Sequence, residues 1–199
     1  RDLIMKTLHI FGSPRLKGNT ADIAAAFCQE ATKHGADITT FHLNTLNYRG
    51  CQACFACKNK AERCVLQDDI TPALDGMQDA DVVLLSSPVY YTDVTAQLKG
   101  FIDRTFGYFV PEYWKHEQKS RLKPGKQLVM LLVQGAVEAE RFADIFPRYR
   151  EVFGWLGFEQ IDLLRATGVY WPGQAANRPD LIEKARDLAH KIYTTSPER

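Results

Sequence analysis

Four cysteines, Cys51, Cys54, Cys57 and Cys64, stand close together in the pattern Cys-x2-Cys-x2-Cys-x6-Cys. Two successive two-residue gaps bring three thiolates into one tight loop, as a four-iron four-sulfur cluster requires, with a fourth ligand nearby. Zinc fits less well, because structural zinc sites pair two separate Cys-x-x-Cys knuckles and here the spacings overlap. Metal-free thiols are the main alternative to a cluster, ahead of zinc. A disulfide framework would suit an exported chain, and the N-terminus has no basic, apolar, small-residue order of an export signal. The fifth cysteine, Cys28, lies on the apolar face of a helical segment and reads as a buried structural thiol.

A second constellation precedes the cysteines. Gly12-Ser13-Pro14-Arg15-Leu16-Lys17-Gly18-Asn19-Thr20 joins an apolar run, Leu8–Phe11, to a helical segment, Asn19–His34. Unpaired N–H groups and partial positive charge at a helix N-terminus stabilise an anion placed there. Ser13, Asn19 and Thr20 can donate to phosphate oxygens, Arg15 adds full charge, and Gly12 and Gly18 allow close backbone approach. The alternative is a plain turn in which Asn19 or Thr20 only caps the helix. The loop has neither the Gly-Lys-Ser/Thr of a P-loop nor the G-x-G-x-x-G dinucleotide fingerprint.

The elements that position these residues alternate in type. Strand segments are expected at Leu8–Phe11, Ile38–Leu43, Val82–Ser86, Gln127–Val133 and Phe158–Val169. Helical segments are expected at Asn19–His34, Ile70–Gln78, Thr95–Phe106 and Glu138–Trp155. A last helix carries the apolar stripe Leu181, Ile182, Ala185, Leu188, Ala189 and Ile192. Five strand segments, each followed by a helix, imply a parallel sheet covered on both faces. Gly107–Pro124 is the longest insertion. Its aromatic content (Tyr108, Phe109, Tyr113, Trp114) predicts a buried interface between copies of the chain.

The phosphate loop, together with Ser87-Pro88-Val89-Tyr90-Tyr91 and Gln97-Leu98-Lys99-Gly100-Phe101-Ile102-Asp103-Arg104, resembles the NADPH-dependent FMN reductase and iron–sulfur flavoprotein group, relatives of flavodoxin. At motif level the resemblance covers about residues 5–106. It implies an α/β, flavodoxin-like three-layer sandwich with a five-stranded parallel sheet in the order 2-1-3-4-5. In such a sheet the ligand sits at the carboxyl edge where strands 1 and 3 diverge. The expected flavin contacts are then Ser13, Arg15, Gly18, Asn19 and Thr20 at the phosphate, with Pro88, Val89, Tyr90 and Tyr91 along the ring. Gln134 and Gly135 form a third, less specific contact.

The resemblance further implies FMN as cofactor and NAD(P)H as co-substrate, with free flavin, a quinone or another small molecule as electron acceptor. Two alternatives stand beside that reading. One is an electron carrier with a cluster on Cys51, Cys54, Cys57 and Cys64 and a ferredoxin-like partner; the other is a flavin-dependent binding or sensing module without turnover. Neighbouring subunits often cover the flavin in this group, so a homodimer or homotetramer is expected.

Composition excludes other classes. With 199 residues, 25 basic against 24 acidic side chains and a net charge of +1, the chain suits one domain and has no footprint for nucleic acid or an anionic membrane. No apolar run reaches the ~20 residues that span a bilayer, so a cytoplasmic location is expected. Met5 opens the first apolar run, and Arg1–Ile4 are expected to be a remnant ahead of it. The five histidines are scattered in sequence and are assigned no catalytic or metal role. Lys99 and Asp103 read as a solvated ion pair one helical turn apart.

Overall fold

A computed structural model describes residues 4–195, so Arg1–Leu3 of the expected remnant lie outside it. Five strands form one sheet: β1 (Lys6–Phe11), β2 (Asp37–His42), β3 (Val82–Pro88), β4 (Lys126–Val133) and β5 (Phe158–Ala166). Their order is β2-β1-β3-β4-β5 and every pairing is parallel. The flavodoxin-like order expected from the sequence is the one observed. The central strands β3 and β4 are buried on both faces, which is why they are unbroken apolar runs and not alternating ones. Edge strand β2 is largely exposed and carries Thr39, Thr40 and His42.

The described residues form six helices, α1 (Asn19–Lys33), α2 (Ala56–Asn59), α3 (Thr71–Asp79), α4 (Ala96–Arg104), α5 (Ile145–Trp155) and α6 (Pro179–Thr195), and all but the short α2, which lies in the cysteine loop, cover the sheet. Alternate residues of one strand feed two separate cores. Val83 and Leu85 of β3 pack with Met77 of α3, Phe101 of α4 and Phe153 of α5. Val82 and Leu84 pack on the other side with Phe27 of α1 and Ala185 and Ala189 of α6. Small alanines on α6 let it lie close against α1.

Helix α5 begins seven residues later than the expected Glu138. Pro147 is the reason: inside a longer helix its ring would clash with the carbonyl of Ala143 and lack the N–H to bond it. Starting at Ile145 places Pro147 in the first turn, where no intrahelical donor is needed. Residues 138–144 form successive turns instead, closed by Arg141 N–H to Glu138 O and Ala143 N–H to Glu140 O. Strand β5 likewise stops at Ala166, and Gly168, at φ +70°, turns the chain toward the β4 loop.

The Gly107–Pro124 insertion corrects the expectation of an aromatic interface. Tyr108 and Phe109 are buried in their own chain, and Tyr113 stacks on Phe109 at 4.4 Å between ring centres. Tyr108 donates its hydroxyl to the Leu74 carbonyl. Of the predicted cluster only Trp114 is well exposed. His9 is buried in the sheet, bonded to Ser86 Oγ at 2.8 Å, and burial pushes its pKa down to about 3, so it is a neutral core residue.

Candidate functional site

The sheet order reverses between β1 and β3, and a cleft of about 950 Å³ opens at the carboxyl edge there. That volume is within the ~300–1,000 Å³ of cofactor and small-molecule clefts. Its floor at one end is the loop after β1: Ser13, Arg15, Gly18, Asn19 and Thr20 all line it. Gly18 is the N-cap of α1 at φ +145°, a conformation closed to other residues, and no side chain caps the helix. The first N–H groups of α1 are thereby left to a ligand. Thr20 is buried and its hydroxyl bonds to nothing among the described residues. Gly12 cannot be larger, since a Cβ there would meet Leu98 Cβ at 2.7 Å.

Not every expected donor is free. Ser13 Oγ closes a local turn with Arg15, accepting from its N–H at 3.2 Å. The Asn19 side chain, although it lines the cleft, is engaged within the protein. Its Nδ2 donates to the carbonyls of Val169 at 3.1 Å and Trp171 at 3.0 Å, and its Oδ1 accepts from Ala175 N–H at 3.0 Å. Asn19 therefore fastens the loop after β5 to the start of α1.

Pro88, the last residue of β3, with Val89 and Tyr90 after it, forms the opposite wall. Val89 N–H is taken by Val133 O at 2.8 Å and Tyr90 N–H by Asp93 O at 2.8 Å. The chain reverses through Tyr91 and Thr92 at φ +49° and +73°. Left-handed backbone at two successive non-glycine residues, one β-branched, stores strain beside the cleft. Asp93 holds the turn, accepting from Tyr149 of α5 at 2.9 Å. Tyr91 is fully exposed and outside the cleft lining, unlike its three predecessors. Thr95 joins this wall to the phosphate loop: its hydroxyl donates to Gly12 O at 2.7 Å and accepts from Leu98 N–H as the cap of α4.

Gly135 lines the cleft, and Gln134 does not. Gln134 is buried and spans its own loop, donating to Glu138 O at 2.9 Å. A Cβ at Gly135 would strike the Tyr170 ring at 2.7 Å. Tyr170 and Trp171, both largely exposed, edge the mouth with Pro172, and Arg141 and Phe142 contribute from the β4 loop. Sequence reasoning missed these residues. The Tyr170-Trp171-Pro172-Gly173 run follows β5 directly and could have been placed at the same edge.

The cysteine loop leaves β2 at that edge too. Cys51, Cys54, Cys57 and Cys64 line one small cavity, with Phe106 and Arg104 closing it. Ala53 and Phe55 take left-handed backbone at φ +49° and +55°, curling the chain around Cys54. Among the described residues, no backbone N–H from Cys51 to Cys57 has a protein acceptor. No three of the sulfurs come within the spacing of a single metal ion.

Two cations serve the cysteine loop. Arg104, fully buried, donates from Nε to Cys64 Sγ at 3.0 Å, from Nη1 to Asp68 Oδ2 at 2.7 Å and from Nη2 to Leu66 O at 3.0 Å. Lys58 bonds the carbonyls of Phe106 and Phe109 and lies over the Phe106 ring at 4.0 Å. Burial lowers the Lys58 pKa, and Cys57 opposes that shift. Cys28 differs: burial raises its thiol to about 11, which keeps it protonated and inert. A hydrogen-bonded chain connects the cysteine loop with the phosphate loop. Asn44 bonds Pro14 O and Gln97, and Tyr48 donates to Gln97 O.

Residues 5–192 match the flavodoxin-like fold family. An iron–sulfur flavoprotein of Archaeoglobus fulgidus is 38% identical over 188 residues, 94% of this chain and 79% of that protein. An FMN-dependent NADH:quinone oxidoreductase of Xanthomonas oryzae pv. oryzae is 32% identical over 107 residues, 53% of this chain and 54% of that one; the chain thus spans about half of that relative. Among solved structures, an NAD(P)H:quinone oxidoreductase from Methanothermobacter marburgensis has the same fold, with a TM-score of 0.76 at 19% identity over 98% of this chain and 100% of that one. The strand order and a match over nearly the whole length agree: the chain belongs to the flavodoxin-like fold family.

Proposed function

We propose that the chain is a one-domain, FMN-dependent oxidoreductase that takes electrons from NAD(P)H and passes them to free flavin, a quinone or another small acceptor. The observation that carries this reading is the cleft itself. An uncapped helix N-terminus with Arg15 and Thr20 lies at one end, and an apolar and aromatic wall at the other. The donor set suits a terminal phosphate monoester on an aromatic cofactor. The N–H groups at the start of α1, Ser13, Arg15 and Thr20 would hold the phosphate, and Pro88, Val89, Tyr90 and Gly135 would flank the ring. Tyr170 and Trp171 would bound the space where a nicotinamide or acceptor enters.

Bound FMN would supply the hydride and electron transfer; the protein contributes orientation and water exclusion. The names of the Xanthomonas and Archaeoglobus relatives agree with a flavin. Exposed Tyr91, Tyr170 and Trp171 around the mouth support a homodimer or homotetramer in which a second copy shields the site. Among the described residues no helix is long and apolar enough to cross a membrane; a cytoplasmic location belongs to the proposal and rests on four cysteines clustered for metal or redox chemistry. The test is steady-state oxidation of NADH and NADPH by FMN-loaded protein with a quinone acceptor. Turnover proportional to bound FMN is expected, and none with either nucleotide would remove the enzymatic reading.

A specific observation favours the second reading, the electron carrier. Four thiols on one cavity, two adjacent cations and a run of unpaired N–H groups suit an anionic four-iron four-sulfur cluster. Protein purified without oxygen is expected to hold iron and sulfide at about four each per chain. Cys57→Ser should abolish that content and Cys28→Ser preserve it. Full FMN content with no iron would leave the plain reductase.

A further inference from the structure

We infer that Glu30, His34 and His190 form a surface site for a single divalent zinc-like cation that clamps α6 to α1. Glu30 of α1 and His34, the C-cap of that helix, are one helical turn apart, and His190 reaches them from α6, 156 residues away from His34 in sequence. His34 Nε2 lies 3.3 Å from Glu30 Oε1, His190 Nδ1 lies 3.1 Å from His34 Nε2, and His190 Nδ1 lies 4.0 Å from Glu30 Oε1. Ligands about 2.0–2.1 Å from a tetrahedral ion are about 3.3–3.4 Å from one another. Two of the three separations match one face of that tetrahedron, and the third, 4.0 Å, closes to it with a small side-chain shift of the exposed His190.

Simpler contacts explain less. An i,i+4 Glu–His pair needs no third partner, yet here a ring nitrogen from another helix lies within 4.0 Å of both ligand atoms. Lys33 holds the second carboxylate oxygen, Glu30 Oε2, at 2.7 Å and so leaves Oε1 to the site. Without a metal, the 3.1 Å contact between ring nitrogens requires one imidazole to donate its proton to the other. A bound cation takes the place of that proton, and the donating ring moves it to its other nitrogen. The ligand set of two imidazoles and one carboxylate suits zinc and related first-row ions.

The position gives the site a structural role. It lies about 17 Å along α1 from the phosphate-binding N-terminus, at 1.5 Å per residue. Helices α1 and α6 cover the same sheet face, and α1 also presents the phosphate loop. A cation that binds only the folded arrangement would stabilise the pairing by mass action.

The test adds zinc chloride to the full chain and follows the ring signals of His34 and His190 by NMR, which zinc on the cysteines does not report. Both rings are expected to shift together, saturating at one ion per site. Because the His190 side chain is 60% exposed, His190→Gln should fold normally and weaken the His34 response at least about tenfold, as loss of a direct ligand exceeds the 10–100-fold cost of an outer-shell loss. Unshifted rings at a tenfold excess of zinc over protein would overturn the inference. So would an undiminished His34 response in His190→Gln.

Discussion

Replacing Arg104 with methionine is expected to destabilise the protein by about 3–5 kcal/mol, the usual cost of removing one partner of a buried ion pair. Methionine retains most of the apolar stem but no donor. Four acceptors would each lose a hydrogen bond from the guanidinium together: Cys64 Sγ, Asp68 Oδ2, Arg49 O and Leu66 O. Asp68 is the costly one. Its side chain is mostly buried and its Oδ1 already lacks a partner, so the carboxylate would be left charged with one backbone N–H bond from Arg49 on Oδ2. Adding Asp68→Asn to Arg104→Met should recover part of the loss by removing that charge. Urea unfolding of the two variants measures both quantities. A loss under about 1 kcal/mol, the worth of an exposed pair, would show that Arg104 is not the clamp described.

The second large effect separates two residues that the sequence places in the same role. Arg15→Ala should weaken FMN binding by about 1.5–3 kcal/mol, the worth of a hydrogen bond to a charged group, with stability unchanged because Arg15 is exposed. Asn19→Ala should act through the fold. It removes three hydrogen bonds to Val169, Trp171 and Ala175, at about 1 kcal/mol each. The loop after β5 would then detach, and hydrogen exchange at residues 169–175 should accelerate in the flavin-free protein. FMN affinity would fall as a consequence. Equal exchange in the two variants would return Asn19 to a direct phosphate role.

These two arginines show where sequence reading reaches and where it stops. The sheet order and both halves of the cleft were legible because local signals agree: a glycine-bounded loop between strand and helix, then unbroken apolar strands. Arg104 was visible only as part of a motif, since nothing in its neighbours says that its guanidinium turns inward to a cysteine 40 residues away. Asn19 and Gln134 were placed at the correct edge, but side-chain direction depends on partners 150 and 31 residues distant. Tyr108 and Phe109 were read as an interface between copies because an aromatic-rich insertion would be unusual on the surface of a monomer; the core they join instead draws on residues distant in sequence, Leu74 and Phe153 among them. The start of α5 was misplaced for a local reason, Pro147, and was recoverable from sequence. Convergence of Glu30, His34 and His190 was not, because it depends on α6 crossing α1.

The most direct test of the account is a titration of flavin-free protein with FMN, followed by flavin fluorescence, with FAD and riboflavin run in parallel. One FMN per chain is expected, with much weaker binding of FAD and riboflavin, and with the preference for FMN over riboflavin lost in Arg15→Ala. FMN binding no tighter than riboflavin, or unchanged in Arg15→Ala, would contradict the assignment of the α1 terminus as the phosphate site.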